Sequence, residues 1–158
     1  MPRAVARRVE GFGARVLHTS SSDGVPLDEL LEQSDFVTLH CPLTEDTRGL
    51  ISDEALERMR PTAFLVNTAR GPIVDTRALI RALHSGSIAG AALDVTDPEP
   101  ISSGHLLLDA PNLLVLPHVA SATHATREAM ADMTVDNLLA ALAGGPMPHC
   151  SNPEAQRG

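Results

Sequence analysis

The sequence contains no tryptophan and no tyrosine, and it has only three phenylalanines among 158 residues. Aromatic clusters therefore cannot build its core, which must consist mainly of alanine, leucine, valine and isoleucine. Small apolar residues in short runs suit strands and helices that pack closely in layers. This length is enough for one domain and too short for two complete ones.

Basic residues are also scarce, because 12 Lys and Arg stand against 20 Asp and Glu and the formal net charge is −8. Proteins that bind the phosphate backbone of nucleic acids normally carry a clustered excess of positive charge. The sequence has no apolar run near the ~20 residues that cross a bilayer, and it starts with no apolar segment of the signal-peptide type. We therefore expect neither nucleic acid nor a membrane as a partner.

Cysteine occurs only at Cys41 and Cys150, a spacing that fits neither a metal site nor a redox motif. Free thiols are typical of a reducing compartment, so we predict a cytoplasmic protein. His118 and His124 could suggest a metal pair, but one follows a predicted strand and the other lies near a helix start. No cysteine or carboxylate completes a ligand set, and we expect no metal.

What the sequence does contain is a regular alternation of helices and short apolar strands. The predicted strands are 15–19, 36–40, 63–67, 88–95 and 113–116, and the predicted helices are 3–11, 27–33, 52–59, 75–83 and about 122–143. Strands separated by helices pair in parallel through right-handed crossovers. We therefore predict a doubly wound α/β sheet of the Rossmann-like kind over residues 1–148, followed by a C-terminal tail at 149–158.

Ligands of such sheets bind beyond the carboxyl ends of the strands, where Arg70, Glu99 and His118 are expected. A guanidinium can hold a carboxylate by two parallel hydrogen bonds, and an imidazolium can protonate a carbonyl oxygen while a nicotinamide delivers hydride. A carboxylate beside the imidazole would orient its ring. Each residue also has a plainer interpretation. Arg70 could be an ordinary surface arginine, Glu99 an exposed charge in a rigid Pro-Glu-Pro turn, and His118 a loop histidine.

Three segments carry a resemblance to a known family. They are Asn67–Asp75 (NTARGPIVD), Ala91–Pro100 (AALDVTDPEP) and Leu116–Thr123 (LPHVASAT). These motifs, and the separations of 29 residues from Arg70 to Glu99 and 19 from Glu99 to His118, resemble the D-isomer-specific 2-hydroxyacid dehydrogenases. Asp94–Thr96, Ser121–His124 and Gly145–Pro148 most resemble the glyoxylate/hydroxypyruvate reductase branch. The resemblance covers residues 3–148.

The resemblance implies an NAD(P)-dependent oxidoreductase that reduces a small 2-oxo acid such as glyoxylate or hydroxypyruvate. It implies that Arg70 binds the substrate carboxylate and that Glu99 supports His118. His118 would be the general acid in reduction and the base in oxidation. Ser121 would join Arg70 and His118 in the substrate site. The resemblance also implies a homodimer packed through this domain.

The resemblance further implies a cofactor site formed by Ser20, Pro42, Thr68, Asp94 and Ala120. Thr68 and Asp94 would face the nicotinamide, with Asp94 bonded to its carboxamide, and Ala120 stands where glycine is commoner. The strand at 15–19 ends in hydroxyl residues and not in the acid that would bind the ribose diol of NAD. Hydroxyls tolerate a 2′-phosphate, so NADP(H) is slightly favoured over NAD(H), although no arginine is present there to clamp the phosphate.

The family's Gly-x-Gly-x-x-Gly phosphate loop is not in the sequence, and only its last position corresponds to a residue here, Pro2. The strand before that loop is the central one in a sheet of order 3-2-1-4-5-6, so we expect a gap between the strands at 15–19 and 63–67. We therefore predict an incomplete, N-terminally truncated form of a reductase. The alternative is a non-catalytic binding or interaction protein that retains the fold, as the corepressors of the same family do.

Overall fold

In a computed structural model that describes residues 2–156, the chain divides into two units, Met1–His118 and Val119–Gly158. The first unit contains a sheet whose strands are β1 (Phe36–Leu39), β2 (Phe64–Asn67), β3 (Gly90–Leu93) and β4 (Leu113–Val115). Their order is β1-β2-β3-β4, and every neighbouring pair is parallel. The predicted Rossmann-like α/β class is confirmed.

Helices connect and follow these strands much as the sequence predicts. In the described part of the chain they are α1 (Pro2–Glu10), α2 (Leu27–Gln33), α3 (Asp53–Arg58), α4 (Thr76–Ser85) and α5 (His124–Leu142). Short 3₁₀ helices occur at Gly71–Ile73, Leu106–Asp109 and Pro153–Gln156. Most bounds differ from the prediction by only a few residues, because capping residues and turn glycines mark helix ends in the sequence itself.

The ends of α4 illustrate this local control. The Asp75 carboxylate accepts hydrogen bonds from the backbone N–H groups of Arg77 at 2.8 Å and Ala78 at 3.0 Å. These N–H groups would otherwise have no partner in the first turn of the helix. The helix ends at Gly86, whose φ of 71° lies in the left-handed region that glycine adopts without a steric penalty.

The cap of α4 provides a stability prediction. We expect Asp75→Ala to lower the free energy of unfolding by about 1 kcal/mol, because two backbone donors lose their acceptor. Urea unfolding followed by circular dichroism measures this change. Glu57→Ala, on the exposed side of α3, is the matched control and should stay within about 0.5 kcal/mol of the original chain. Equal stabilities of the two variants would contradict the capping role.

The core lies on one face of the sheet. Alternate strand residues, including Val37 and Leu65, are buried with Leu31 of α2, Leu56 of α3 and Leu79 of α4 in one apolar cluster. The opposite face of the sheet, as far as the structure describes the first unit, carries exposed apolar side chains. Among them are Phe36 and Phe64, whose rings stack with centroids 5.6 Å apart, and Leu114.

Two expectations about the beginning of the sheet are wrong. Residues 14–18 have no regular structure, and Thr19 makes only an isolated antiparallel bridge to Gly24. The expected gap beside the strand at 63–67 is also absent, because β1 pairs directly with β2. Consecutive strands joined by a helix pair as neighbours, whereas residues 15–19 have no adjacent strand with which to exchange backbone hydrogen bonds.

In the second unit, α5 begins after Thr123, whose hydroxyl accepts a hydrogen bond from the Thr126 N–H. After the helix, Asn137 binds the backbone of His149 through both ends of its side-chain amide, at 2.8 and 3.3 Å. The domain limit at residue 148 stays a prediction, and residues 157–158 of the predicted tail lie outside the described residues. Across residues 2–156, no helix combines the length and the apolar composition that crossing a membrane requires.

Candidate active site

The centre of the site is a contact between Glu99 and His118, in which Oε1 of the glutamate lies 2.6 Å from Nδ1 of the histidine. Glu99 belongs to the loop that follows β3, and His118 follows β4 after Pro117. Adjacent parallel strands end at the same edge of the sheet, and this brings together two residues 19 positions apart. A separation this short is typical of a charge-assisted hydrogen bond.

The contact decides which histidine nitrogen can act on a ligand. An ionised carboxylate only accepts hydrogen bonds, so Nδ1 of His118 must carry the proton that it shares with Glu99. The other nitrogen, Nε2, then becomes the one that can hold or release a proton towards a bound molecule. His118 and Glu99 retain 49% and 40% of their side-chain exposure, so the pair can be reached from solvent.

The backbone of His118 is unusual as well, with a φ of 53°. This left-handed conformation costs a residue with a β-carbon about 1–2 kcal/mol. Such strain persists where the surroundings impose it, and it is concentrated at functional sites. Here it occurs at the residue whose ring is bonded to Glu99.

Arg70 lies in a turn directly after β2 that the buried Asn67 holds in shape. The Asn67 side chain accepts a hydrogen bond from the Ala69 N–H at 3.0 Å and donates one to the Arg70 carbonyl at 2.9 Å. The Arg70 side chain is exposed, and its Nη1 donates to the Ala69 carbonyl at 2.7 Å. Sequence reasoning named Asn67 within a motif but gave it no role, although a polar residue at the end of a buried strand is a usable signal.

The Arg70 turn touches the start of the Glu99 loop through Gly71. A β-carbon added to Gly71 would lie only 2.0 Å from the carbonyl oxygen of Thr96. The two backbones can approach this closely only because position 71 has no side chain. Gly71 and Thr96, neither of which the sequence analysis assigned to the site, therefore connect the segment with the arginine to the segment with the glutamate.

The predicted cofactor residues of the first unit follow successive strands, with Pro42 after β1, Thr68 after β2 and Asp94 after β3. Asp94 is buried, and its backbone N–H donates to the Asn67 carbonyl at 2.9 Å. Beside Pro42, burial raises the pKa of the Cys41 thiol and lowers the pKa of His40. Both side chains are therefore held in their neutral forms near this edge.

The remaining predicted residues lie in two other turns. Ser20 lies in a turn of its own, where its hydroxyl contacts the Asp23 carboxylate and accepts from the Asp23 N–H at 3.0 Å. Ala120 and Ser121 belong to the second unit, in the turn that the bond from the Ala122 N–H to the Val119 carbonyl closes at 2.9 Å. No group of three or more potential metal ligands occurs in residues 2–156.

The chemistry of the strand ends suits one half of a nicotinamide dinucleotide. A hydroxyl at Thr68 and a buried carboxylate at Asp94 can receive and orient a carboxamide, which offers both a donor and an acceptor. A diphosphate requires backbone N–H groups, usually from a glycine-rich loop before a helix, and the sequence contains no Gly-x-Gly-x-x-Gly. The residues present thus fit the nicotinamide half of the cofactor.

Comparison with known proteins also points to a nicotinamide-dinucleotide-binding domain. The model of the NAD-binding domain of D-isomer specific 2-hydroxyacid dehydrogenases matches residues 1–120. A glyoxylate reductase of Korarchaeum cryptofilum is 49% identical over 96% of this chain and 49% of its own length.

Two solved structures extend the comparison. An NADPH-dependent glyoxylate/hydroxypyruvate reductase of Sinorhizobium meliloti, in complex with NADP and malonate, has a TM-score of 0.81 and 38% identity over 92% of this chain and 48% of that one. A D-lactate dehydrogenase of Lactobacillus jensenii, with NAD+, has a TM-score of 0.84 and 30% identity over 92% and 50% of the two chains. The chain thus spans about half the length of the relatives that it matches. The family model covers most of the chain, and on that ground the chain belongs to the D-isomer specific 2-hydroxyacid dehydrogenase family, in its NAD-binding domain.

Proposed function

We propose that the protein containing this chain reduces a small 2-oxo acid, glyoxylate or hydroxypyruvate, with a nicotinamide dinucleotide as the hydride donor. The observation that carries the proposal is the 2.6 Å contact between Glu99 and His118 at the carboxyl edge of the sheet. Relatives named glyoxylate reductase and glyoxylate/hydroxypyruvate reductase support the choice of substrate. Nothing in the comparisons favours the non-catalytic alternative.

In the proposed mechanism, Arg70 binds the carboxylate of the oxo acid through two parallel hydrogen bonds. Nε2 of His118 donates a proton to the carbonyl oxygen, while Glu99 holds Nδ1 and stabilises the positive ring before the transfer. The nicotinamide, when bound, supplies the hydride. In the reverse direction His118 removes the hydroxyl proton. These chain residues therefore orient the substrate and move one proton.

The binding roles of the other residues are proposals of the same kind. Thr68 and Asp94 would orient the nicotinamide carboxamide, and Pro42 and Ala120 would make backbone contacts to the cofactor. Ser121 would contact the substrate. The positions of Thr68, Asp94 and Pro42 after strand ends support the first three assignments. The motif at 116–123 supports those of Ala120 and Ser121.

We also propose that NADP(H) is slightly favoured over NAD(H). The hydroxyls of Thr19 and Ser20 leave room for a 2′-phosphate, and a similar solved structure is NADPH-dependent. The Asp23 carboxylate limits this preference. A hydrogen bond from Ser20 lowers the pKa of Asp23, so its negative charge remains beside the turn at neutral pH and repels a phosphate.

For the whole protein we propose a cytoplasmic homodimer in which residues 1–148 contribute a partial dinucleotide-binding domain and residues 149–158 a tail. The free cysteines support the compartment, and the dimer is what the resemblance of the sequence motifs to the family implies. Light scattering on the protein at its native length distinguishes a dimer from a monomer. A monomer at micromolar concentration would contradict the assembly.

The proposed activity is tested directly by following NAD(P)H absorbance with the protein purified at its native length. We expect consumption of the cofactor with glyoxylate or hydroxypyruvate, and faster turnover with NADPH than with NADH. Absence of turnover with every small 2-oxo acid and with both cofactors would overturn the proposal.

Arg70→Lys tests the substrate contact. We expect the KM for the oxo acid to rise by roughly 10- to 100-fold, because an ammonium cannot form the two parallel hydrogen bonds of a guanidinium. The KM for the cofactor should change little. Arg77→Lys, an exposed substitution on α4, is the matched control. An unchanged KM for the oxo acid in Arg70→Lys would contradict the role of Arg70.

A further inference from the structure

The loop that carries Glu99 is poorly equipped to hold itself in place. Its sequence over residues 97–100 is Asp-Pro-Glu-Pro, and all four residues are exposed. Two of the four are prolines, which have no N–H to donate. Apolar burial therefore does not fix this segment, and half of its backbone donors are missing. Its carbonyl groups are therefore important points at which the segment can be held.

Two threonine hydroxyls hold those carbonyls. Oγ1 of Thr96 donates a hydrogen bond to the Pro98 carbonyl at 2.8 Å, and Oγ1 of Thr76 donates one to the Asp97 carbonyl at 3.1 Å. The two accepting carbonyls are those of the residues immediately before Glu99. The two hydroxyls therefore hold the backbone that immediately precedes the glutamate.

Both threonines belong to well-packed or regular parts of the structure. Thr96 is buried, with 7% of its surface exposed, and its backbone lies against Gly71. Thr76 is the first residue of α4, directly after the cap formed by Asp75. The exposed loop is thus attached at one point to the segment that follows Arg70 and at the other to the start of a capped helix.

We propose that Thr96 and Thr76 are positioning residues that keep the Glu99 carboxylate at Nδ1 of His118. Catalytic groups lose efficiency when their geometry loosens by more than about 0.5 Å, so a 2.6 Å contact borne by an exposed loop needs such anchors. The hydroxyls act on the position of Glu99, and through Glu99 on the tautomer of His118. The kinetic consequence rests on the function proposed above, whereas the structural consequence does not.

The structural consequence is measured on the protein without substrate or cofactor. Long-range ¹H–¹⁵N NMR spectra of the histidine rings report which nitrogen of His118 carries the proton. We expect the Nδ1–H form in the original protein and its partial loss in Thr96→Val and Thr76→Val, because valine keeps the shape of threonine but has no hydroxyl. The serine variants Thr96→Ser and Thr76→Ser keep a hydroxyl donor, so they should retain the Nδ1–H form.

Thr134→Val is the matched control, since the Thr134 hydroxyl also donates to a backbone carbonyl, that of Met130 at 2.8 Å, but within α5. It should leave the ring spectrum of His118 unchanged. If Thr96→Val does not fold, the less buried Thr76→Val makes the same measurement. An unchanged His118 tautomer in both valine variants would overturn the positioning role.

Turnover then separates this inference from the proposed function. We expect each valine variant to lower kcat by roughly 3- to 10-fold, the effect of one ordinary hydrogen bond. The KM for the oxo acid, which depends on Arg70, should change by less than about 2-fold, and the serine variants should recover kcat. If the tautomer shifts while kcat does not change, the positioning role stands and the proposed proton transfer by His118 is rejected.

Discussion

Replacement of His118 by glutamine is expected to lower kcat for 2-oxo acid reduction by roughly 10²- to 10⁴-fold, the usual contribution of a positioned general acid. Glutamine can still donate a hydrogen bond from a similar position, but it cannot transfer a proton to the carbonyl oxygen. Binding of the acid should weaken much less, because the proposed contact to its carboxylate is made by Arg70. Steady-state kinetics with saturating cofactor measure both quantities.

His84→Gln is the control for this experiment, since His84 is exposed in the last turn of α4. Its kcat should stay within about 2-fold of the original protein, because surface substitutions away from a site have small effects. Undiminished turnover in His118→Gln would reject the proton transfer assigned to this residue. A loss of the same size in both variants would indicate a general effect of removing histidines.

Gly71→Ala is expected to damage both stability and turnover. The new β-carbon would stand 2.0 Å from the Thr96 carbonyl oxygen and 2.8 Å from the Asp97 backbone nitrogen. No side-chain rotation relieves this overlap, because the atoms on the opposite side belong to the backbone. We expect a loss of unfolding free energy of at least about 1–3 kcal/mol, the range for an overpacked core.

Gly71→Ala should also lower the turnover of the protein that remains folded. Separating residue 71 from Thr96 moves Arg70 away from the Glu99 loop, and a misplacement of about 1 Å can reduce a rate by roughly 10²-fold. Gly104→Ala is the control, because a β-carbon at Gly104 would meet no atom within 4 Å. Thermal unfolding and kcat are measured for both variants and for the original protein. Stability and turnover that match those of Gly104→Ala would contradict the close approach seen here.

Most of the fold could be predicted because its signals are local. Leu27–Gln33 has the predicted bounds, and Asp75 and Gly86 mark the ends of α4 as expected. The segment at 15–19 has an equally clear strand pattern and does not form a strand. Its pattern describes a preference for extended backbone, but a strand also needs a neighbour, and the described residues offer it none.

The site was predictable as a set of residue types. Motif and spacing pointed to Arg70, Glu99 and His118, and the ends of parallel strands explained why they could meet. The contact between Glu99 and His118, the left-handed backbone of His118 and the anchors at Thr76 and Thr96 are not visible in the sequence. Each depends on the distance between segments that lie apart along the chain.

By itself, the sequence determined the α/β class and the helix ends, and it predicted the residues for proton transfer. Capping, hydrophobic periodicity and side-chain chemistry act within a few residues and need no partner. Only the tertiary structure decided the strand order, with β1 beside β2, and the contact of Gly71 with Thr96. Pairing and close approach are properties of two segments at once, so neither segment encodes them alone.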